Sequence, residues 1–180
     1  MKKFLIIWLP LLILVIAGVG VGFWFLRDTS SQQTSTNDQQ AAELANDYST
    51  KTMSETLSSL DSVKSLVPFL GSELTALFQL DTAKIVFFAP TEAALNQFSK
   101  DTAVAPTKMI PYHVVAGELE DPVVAENTRL KTKDGQELSF VKKENALYVR
   151  DAKGNDVRLR KPIQTKNGKL YIIDKVLLTQ

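Results

Sequence analysis

Ile85-Val86-Phe87-Phe88-Ala89-Pro90-Thr91-Glu92-Ala93-Ala94-Leu95 is the stretch whose reading decides the fold. Ile85 to Phe88 is a short apolar run of β-formers, which predicts a buried strand. Alternation along a strand turns Phe87 and Phe88 to opposite faces, one toward helices and the other into the sheet. Pro90 stops the run, and Thr91 is suited to cap a helix reaching about Phe98.

Working upstream, Thr52-Met53-Ser54-Glu55 fits a capping box, with Thr52 at the N-cap and Glu55 at N3. Leu57, Leu60, Val63 or Lys64, and Val67 follow at helical spacing, with Leu66 flanking, and Pro68 with Gly71 ends that helix. Ser72 is placed to cap a second short helix carrying Leu74, Leu77 and Phe78. Downstream, Pro106 suits the first turn of a helix ending near Ile110, and Tyr112 to Val115 reads as a strand. Asp134-Gly135 and Lys153-Gly154-Asn155 each sit between two short β-type runs, a hairpin pattern. Asn167-Gly168 marks a third turn, before a last strand from Leu170 to Leu178 broken at Asp174-Lys175. Helices first and antiparallel strands second make an α+β chain.

These segments, in this order, resemble the fasciclin domain. Its strand-to-helix element, T-V-F-A-P-T-x-x-A-F, is similar to Ile85–Leu95, with Phe88, Ala89, Pro90 and Thr91 at its centre. Its Tyr-His pair with two apolar residues and a small-Gly turn is similar to Tyr112-His113-Val114-Val115-Ala116-Gly117. A Thr-rich strand, a Gly turn and an outer strand match Thr128 to Val141, and the closing pattern matches Asn167-Gly168, Ile173-Asp174 and Val176-Leu177-Leu178. The resemblance covers about residues 50–180. It implies N-terminal helices packed on an antiparallel sheet or wedge, and a role in adhesion or extracellular contacts. Two departures stand out. Lys169-Leu170-Tyr171 occupies the place where the family often has a His before Ile-Asp. Lys161-Pro162-Ile163 stands where some members carry an Asp-Ile pair tied to integrin binding, so the acidic residue of that recognition is missing.

Phe4 to Leu26 is 23 residues without a charge. As a helix it reaches roughly 34 Å, enough for a bilayer core of about 30 Å. Trp8 and Trp24 lie near its two ends, and Lys2-Lys3 precedes it while Arg27 is followed at once by Asp28. The positive-inside rule then puts the N-terminus in the cytoplasm and residues 28–180 outside. A cleaved leader is the alternative, but its apolar core is about 7–15 residues, followed by a small-x-small site. Here Ala17, Gly18, Gly20 and Gly22 lie inside the run and bulky Phe23, Trp24 and Phe25 follow. The expected organisation is a signal anchor at 1–27, a polar tether at 28–48 beginning DTSSQQTSTNDQQ, and a fasciclin-like domain at 49–180. The expected location is that of a single-pass membrane protein with its C-terminal domain at the cell surface or in the periplasm.

Of the 180 residues none is Cys and one is His, which excludes disulfides, cysteine nucleophiles, iron–sulfur clusters and multi-histidine metal centres. Net charge is +1, without the bias of a dedicated nucleic-acid binder. Residues 28–128 nevertheless carry 5 bases and 14 acids, and residues 129–180 carry 13 bases and 6 acids. Packing the two halves together neutralises much of that split; an anionic partner on the basic half is the alternative. Lys142, Lys143, Arg158, Arg160 and Lys161 are the candidate anion-binding residues, with Arg158 and Arg160 on one face of a strand.

His113 could join a Ser and Asp174 in a hydrolytic triad, but no G-x-S-x-G elbow presents the Ser. Its apolar neighbours point instead to a buried histidine with both nitrogens bonded. Asp174, inside an apolar run, is expected to accept backbone N–H bonds at a bulge or turn. Glu118, Glu120 and Asp121 are three carboxylates without an Asx-rich loop, short of the 6–8 oxygens that calcium takes. No P-loop or G-x-G-x-x-G occurs, so a nucleotide site has no support; with the Cys, His and charge counts above, no cofactor, metal or nucleic acid is expected. The expected partners are the membrane, through residues 4–26, and an extracellular protein or anionic glycan. The absence of an N-x-S/T sequon fits a bacterial or archaeal surface protein. In a C-terminal reporter assay, alkaline phosphatase fused after residue 180 should be active and a cytoplasmic reporter silent; the reverse pattern would refute the orientation.

Overall fold

The computed structural model describes Glu43, residues 45–117 and residues 128–180. The anchor at 1–27, the tether through Ala42 and the acidic trio Glu118, Glu120 and Asp121 lie outside the described residues. Among those described, no helix is long and apolar enough to cross a membrane. The described residues belong to one compact unit, Glu43–Gln180. It starts earlier than residue 49: Tyr48 is buried in the core, and the Glu43 carboxylate accepts bonds from the backbone N–H and hydroxyl of Ser62.

The α-helices delimited among the described residues are α1 (Met53–Ser59), α2 (Gly71–Gln79), α3 (Glu92–Asp101) and α4 (Pro106–Met109), with 3-10 turns at Lys64–Phe69 and Ile110–His113. Strand β1 (Ile85–Pro90) lies between α2 and α3. The remaining strands are β2 (Val114–Ala116), β3 (Arg129–Lys131), β4 (Glu137–Lys143), β5 (Ala146–Arg150), β6 (Asp156–Arg158), β7 (Ile163–Thr165) and β8 (Gly168–Ile173). The Thr52–Glu55 capping box and the Thr91 cap of α3 both form. The three turns at Asp134-Gly135, Lys153-Gly154-Asn155 and Asn167-Gly168 join β3 to β4, β5 to β6 and β7 to β8.

Four local expectations need correction. The first helix stops at Leu60, and its continuation is the 3-10 turn. Leu60 is extended and Val63 is non-helical, so the chain bends between the two helices while Leu57, Leu60, Val63 and Leu66 all stay fully buried. Ser72 is not the cap of α2. That helix opens at Gly71, whose φ of +68° is left-handed, and Leu70 holds the N-cap position. Tyr112 and His113 close a 3-10 turn opened by Ile110-Pro111 and precede the strand. Beyond Ile173 the chain leaves the strand ladder, because the amides of Leu177 and Leu178 are bonded to side chains.

The sheets form the order β2-β1-β8-β7 and the order β3-β4-β5-β6. The second is antiparallel throughout. The first is mixed, correcting the wholly antiparallel expectation: β1 runs parallel to β8, with Ile85 opposite Gly168 and Pro90 opposite Ile173. A bridge between Val115 and Thr132, with Lys133 N–H donating to the Val114 carbonyl at 2.7 Å, joins the two sheets at one edge.

Two cores result. Ile85, Phe87, Ala89, Leu170 and Ile172 face the helices, where they meet Leu57, Leu66, Leu74 and Phe78. Val86, Phe88, Tyr171 and Ile173 face the second sheet, where they meet Leu138, Phe140, Val149 and Val157. The first sheet is thus the middle of three layers, which is why β1 is buried along its whole length. Phe87 packs on Phe78 with ring centroids 5.0 Å apart, and Phe88 stacks on Tyr171 at 5.5 Å. Phe87→Ala and Phe88→Ala should each cost about 3–5 kcal/mol in urea melts. If both melt like the parent, the middle layer does not organise the domain.

Candidate functional site

The Asn167-Gly168 turn sits where three elements meet. The Asn167 carboxamide oxygen accepts the Met53 N–H at 2.7 Å, and its Nδ2 donates to the Phe78 and Leu80 carbonyls, both at 3.0 Å. One buried side chain thereby satisfies an N-terminal amide of α1 and the C-terminal end of α2. Gly168 lets β8 approach β1: a Cβ there would lie 1.9 Å from the Ile85 carbonyl oxygen.

His113 is fully buried between the 3-10 turn and the C-terminal segment. Leu177 N–H donates to Nε2 at 2.9 Å, and Nδ1 lies 2.9 Å from the Met109 carbonyl. Nε2 must accept, so Nδ1 carries the proton and donates to Met109, and the ring is neutral. Burial pushes its pKa down to about 4. The adjacent Tyr112 hydroxyl accepts the Ala152 N–H at 2.8 Å and donates to the Glu137 carbonyl at 3.2 Å, and burial lifts its pKa to about 12.

Asp151, which sequence reasoning passed over, completes this set. It is buried and accepts the backbone N–H groups of Lys153 and Asn155, the Asn155 carboxamide, and the Leu178 N–H at 3.0 Å. The signal was present: an Asp two residues before Lys153-Gly154 is placed for an Asx turn. Both amides that pull the C-terminal segment from a strand ladder therefore end on buried side chains of the other layers.

The motif residues divide by role. Phe88, Ala89 and Ile173 are core, and Pro90 ends β1 opposite Ile173. Thr91 donates its N–H to the Ile173 carbonyl at 2.9 Å while its hydroxyl accepts the Ala94 N–H. Asp174 is exposed rather than bonded within a turn. It lines an apolar groove of about 510 Å3 with Phe98, Val104, Met109, Val176 and Leu178. It is not brought to His113 by any hydrogen bond among the described residues.

The basic candidates are not gathered into one site. Alternation along β4 puts Lys142 and Lys143 on opposite faces. Lys143 lies 2.6 Å from Asp156 and over the Tyr148 ring. Arg158 is exposed on β6, and Arg160 and Lys161 follow after the strand has ended. Arg129, Lys131 and Arg150, not singled out by sequence, stand on the same sheet. Arg150 grips Asp156 with two bonds, at 2.7 and 2.9 Å, and with Lys143 holds that carboxyl down to about 2. Among the described residues no group of three or more His, Cys, Asp or Glu is placed to hold a metal ion.

The fasciclin-domain model matches residues 61–179 of this chain, which takes in the 3-10 turn after α1, both sheets and the C-terminal segment. The chain belongs to the fasciclin-domain family. In overall shape the fasciclin domain here is similar to the solved FAS1 domain pair from the insect cell adhesion molecule Fasciclin I. The TM-score is 0.61 at 13% identity, covering 73% of this chain and 51% of that one. This chain thus spans about half the length of that structure. No curated protein gives a significant match. In this fasciclin domain the Tyr-His and Asn-Gly motifs are the internal fastenings of the fold.

The His113 geometry sets a pH dependence. The unfolded side chain takes up a proton near pH 6.5, whereas the folded one waits until about 4. The unfolded state binds the proton first, so this stabilisation is complete above about pH 6.5 and declines as pH falls toward 4. The slope approaches about 1.4 kcal/mol per pH unit. Urea melts from pH 7 to 5, above the main carboxylate range, should show it. The non-titrating His113→Gln should flatten it; an equal slope in that variant would assign the effect elsewhere.

Proposed function

We propose that this chain is an adhesion or binding module of the cell surface. Its fasciclin domain stands outside the cytoplasmic membrane, is held there by residues 4–26, and binds an extracellular protein or an anionic glycan. The observation that carries this reading is how the buried polar side chains are used. His113, Tyr112, Asn167 and Asp151 all spend their hydrogen-bonding groups within this same domain, mostly on its backbone. Hydrolysis through His113 needs an accessible imidazole nitrogen beside a nucleophile. Here both nitrogens are engaged by the backbone of the domain. What is left to meet other molecules is surface: an open sheet face and shallow grooves. The likeness to a domain pair of a cell adhesion molecule supports the same reading.

Cells displaying the full chain should capture a ligand from an array of extracellular polysaccharides and surface proteins. His113→Gln, where it folds, should keep that capture. Turnover of a captured ester or glycan that disappears in the folded His113→Gln chain would instead establish a hydrolase.

A further inference from the structure

Among the described residues, the second sheet has one buried face and one open one. Cross-strand partners share a face, so the registers place Arg129, Ser139, Arg150 and Asp156 in one row, and Val141, Tyr148 and Arg158 in the next. Lys131 with Glu137 lies beyond the first row, and Lys143 with Ala146 beyond the second. The opposite face carries the buried Leu138, Phe140, Val149 and Val157. Every residue of the open rows is exposed or half-buried.

This face holds five bases, Arg129, Lys131, Lys143, Arg150 and Arg158, against two acids, Glu137 and Asp156. Asp156 is shared between Arg150 and Lys143, and Glu137 meets Arg129 at 3.3 Å. Arg158 and Lys131 have no ion pair among the described residues. Arg158 stands directly across from Tyr148, the one aromatic ring on the face, and the Lys143 ammonium lies 5.7 Å from that ring's centroid. Beside them, a hollow of about 630 Å3 opens over Arg129, Ser139 and Arg150.

We infer that the open face of the β3-β4-β5-β6 sheet, centred on Tyr148 and Arg158, is the domain's docking surface for an anionic polysaccharide. This rests on the binding-module reading above and names the site for it. Charge complementarity selects the ligand. The cations are spread across strands about 4.8 Å apart and rows about 7 Å apart, which suits an extended chain of repeating charge better than one compact anion. Guanidinium groups pair with carboxylate or sulfate through two parallel bonds, and a half-exposed tyrosine offers a flat apolar surface to a sugar ring. A folded protein partner is disfavoured, because tight protein interfaces centre on large apolar or aromatic anchors in pockets, and this face has only Val141, Ala146 and Tyr148. The three-layer order also puts this face on the far side of the domain from the described helices, so it can meet a polyanion without the helical layer between them.

The test uses the full chain in non-ionic detergent, with polygalacturonate as probe, neutral dextran as the uncharged control and inorganic polyphosphate as a polyanion without sugar rings. Polygalacturonate should bind, more weakly as salt rises, and dextran should not. Lys131→Glu with Arg158→Glu should weaken binding about tenfold or more. Lys100→Glu with Lys108→Glu, the same charge change on the helical layer, should leave most of it. Tyr148→Ala should weaken polygalacturonate more than polyphosphate. Equal losses from the two charge-reversal pairs would overturn the assignment of this face, and equal losses of both polymers with Tyr148→Ala would overturn the polysaccharide. Absence of polyanion binding by a folded chain would overturn the inference, as would a dimer that dissociates on Lys131→Glu with Arg158→Glu, which would make this face a contact between copies. All of these leave the cell-surface reading standing; only a cytoplasmic location of the domain would remove that.

Discussion

Everything in this domain hangs on the parallel pairing of Ile85–Pro90 with Gly168–Ile173. Two strands more than 70 residues apart in the chain lie side by side; Ile85–Pro90 is buried throughout and the partner from Leu170 to Ile173 is buried on both faces. Once paired they must be covered twice, by the helices on one side and by the antiparallel sheet on the other. The two hydrophobic cores are the consequence. Close approach at the start of the pair depends on the missing side chain of Gly168, and Asn167 beside it ties the same corner to α1 and α2.

A second constraint is polar. The C-terminal segment could have prolonged β8, since Val176, Leu177 and Leu178 are all β-formers. Two side chains compete for its amides and win: the His113 imidazole takes Leu177, and the Asp151 carboxylate takes Leu178. Both acceptors are buried, where an unmade hydrogen bond costs about 1–3 kcal/mol, so the segment is drawn across the layers instead of along the sheet. This explains how a histidine can be central to the domain with both ring nitrogens bonded to backbone, and why its burial keeps it neutral at ordinary pH.

Charge follows the layers. Among the described residues the charges of the two halves are only partly paired with one another. Part of the split is neutralised between elements, as where Lys133 meets Glu73 and Lys166 meets Asp81. Part remains on the open sheet face, where pairing is incomplete. The buried Asn167, His113 and Tyr112 that fasten the scaffold all lie away from that face.

The amino-acid sequence by itself determined the elements whose cause is local. The Thr52–Glu55 box, the Thr91 cap, the two glycine hairpins and the opposite facing of Phe87 and Phe88 all follow from residues within a few positions of one another, and the order of four short motifs was enough to mark the family. What only the tertiary structure decided depends on contacts between distant residues. The parallel partner of β1 was one such case, because a strand buried on both faces carries no mark of its neighbour's direction. The end of β8, the role of Asp151 and the fate of Asp174 were others, since each turns on which distant amide a side chain can reach. The basic residues divided in the same way. Alternation separated Lys142 from Lys143, while register across four strands brought Arg129, Lys131, Arg150 and Arg158 to the face that carries Tyr148, and register is a property of paired chains that no single strand encodes.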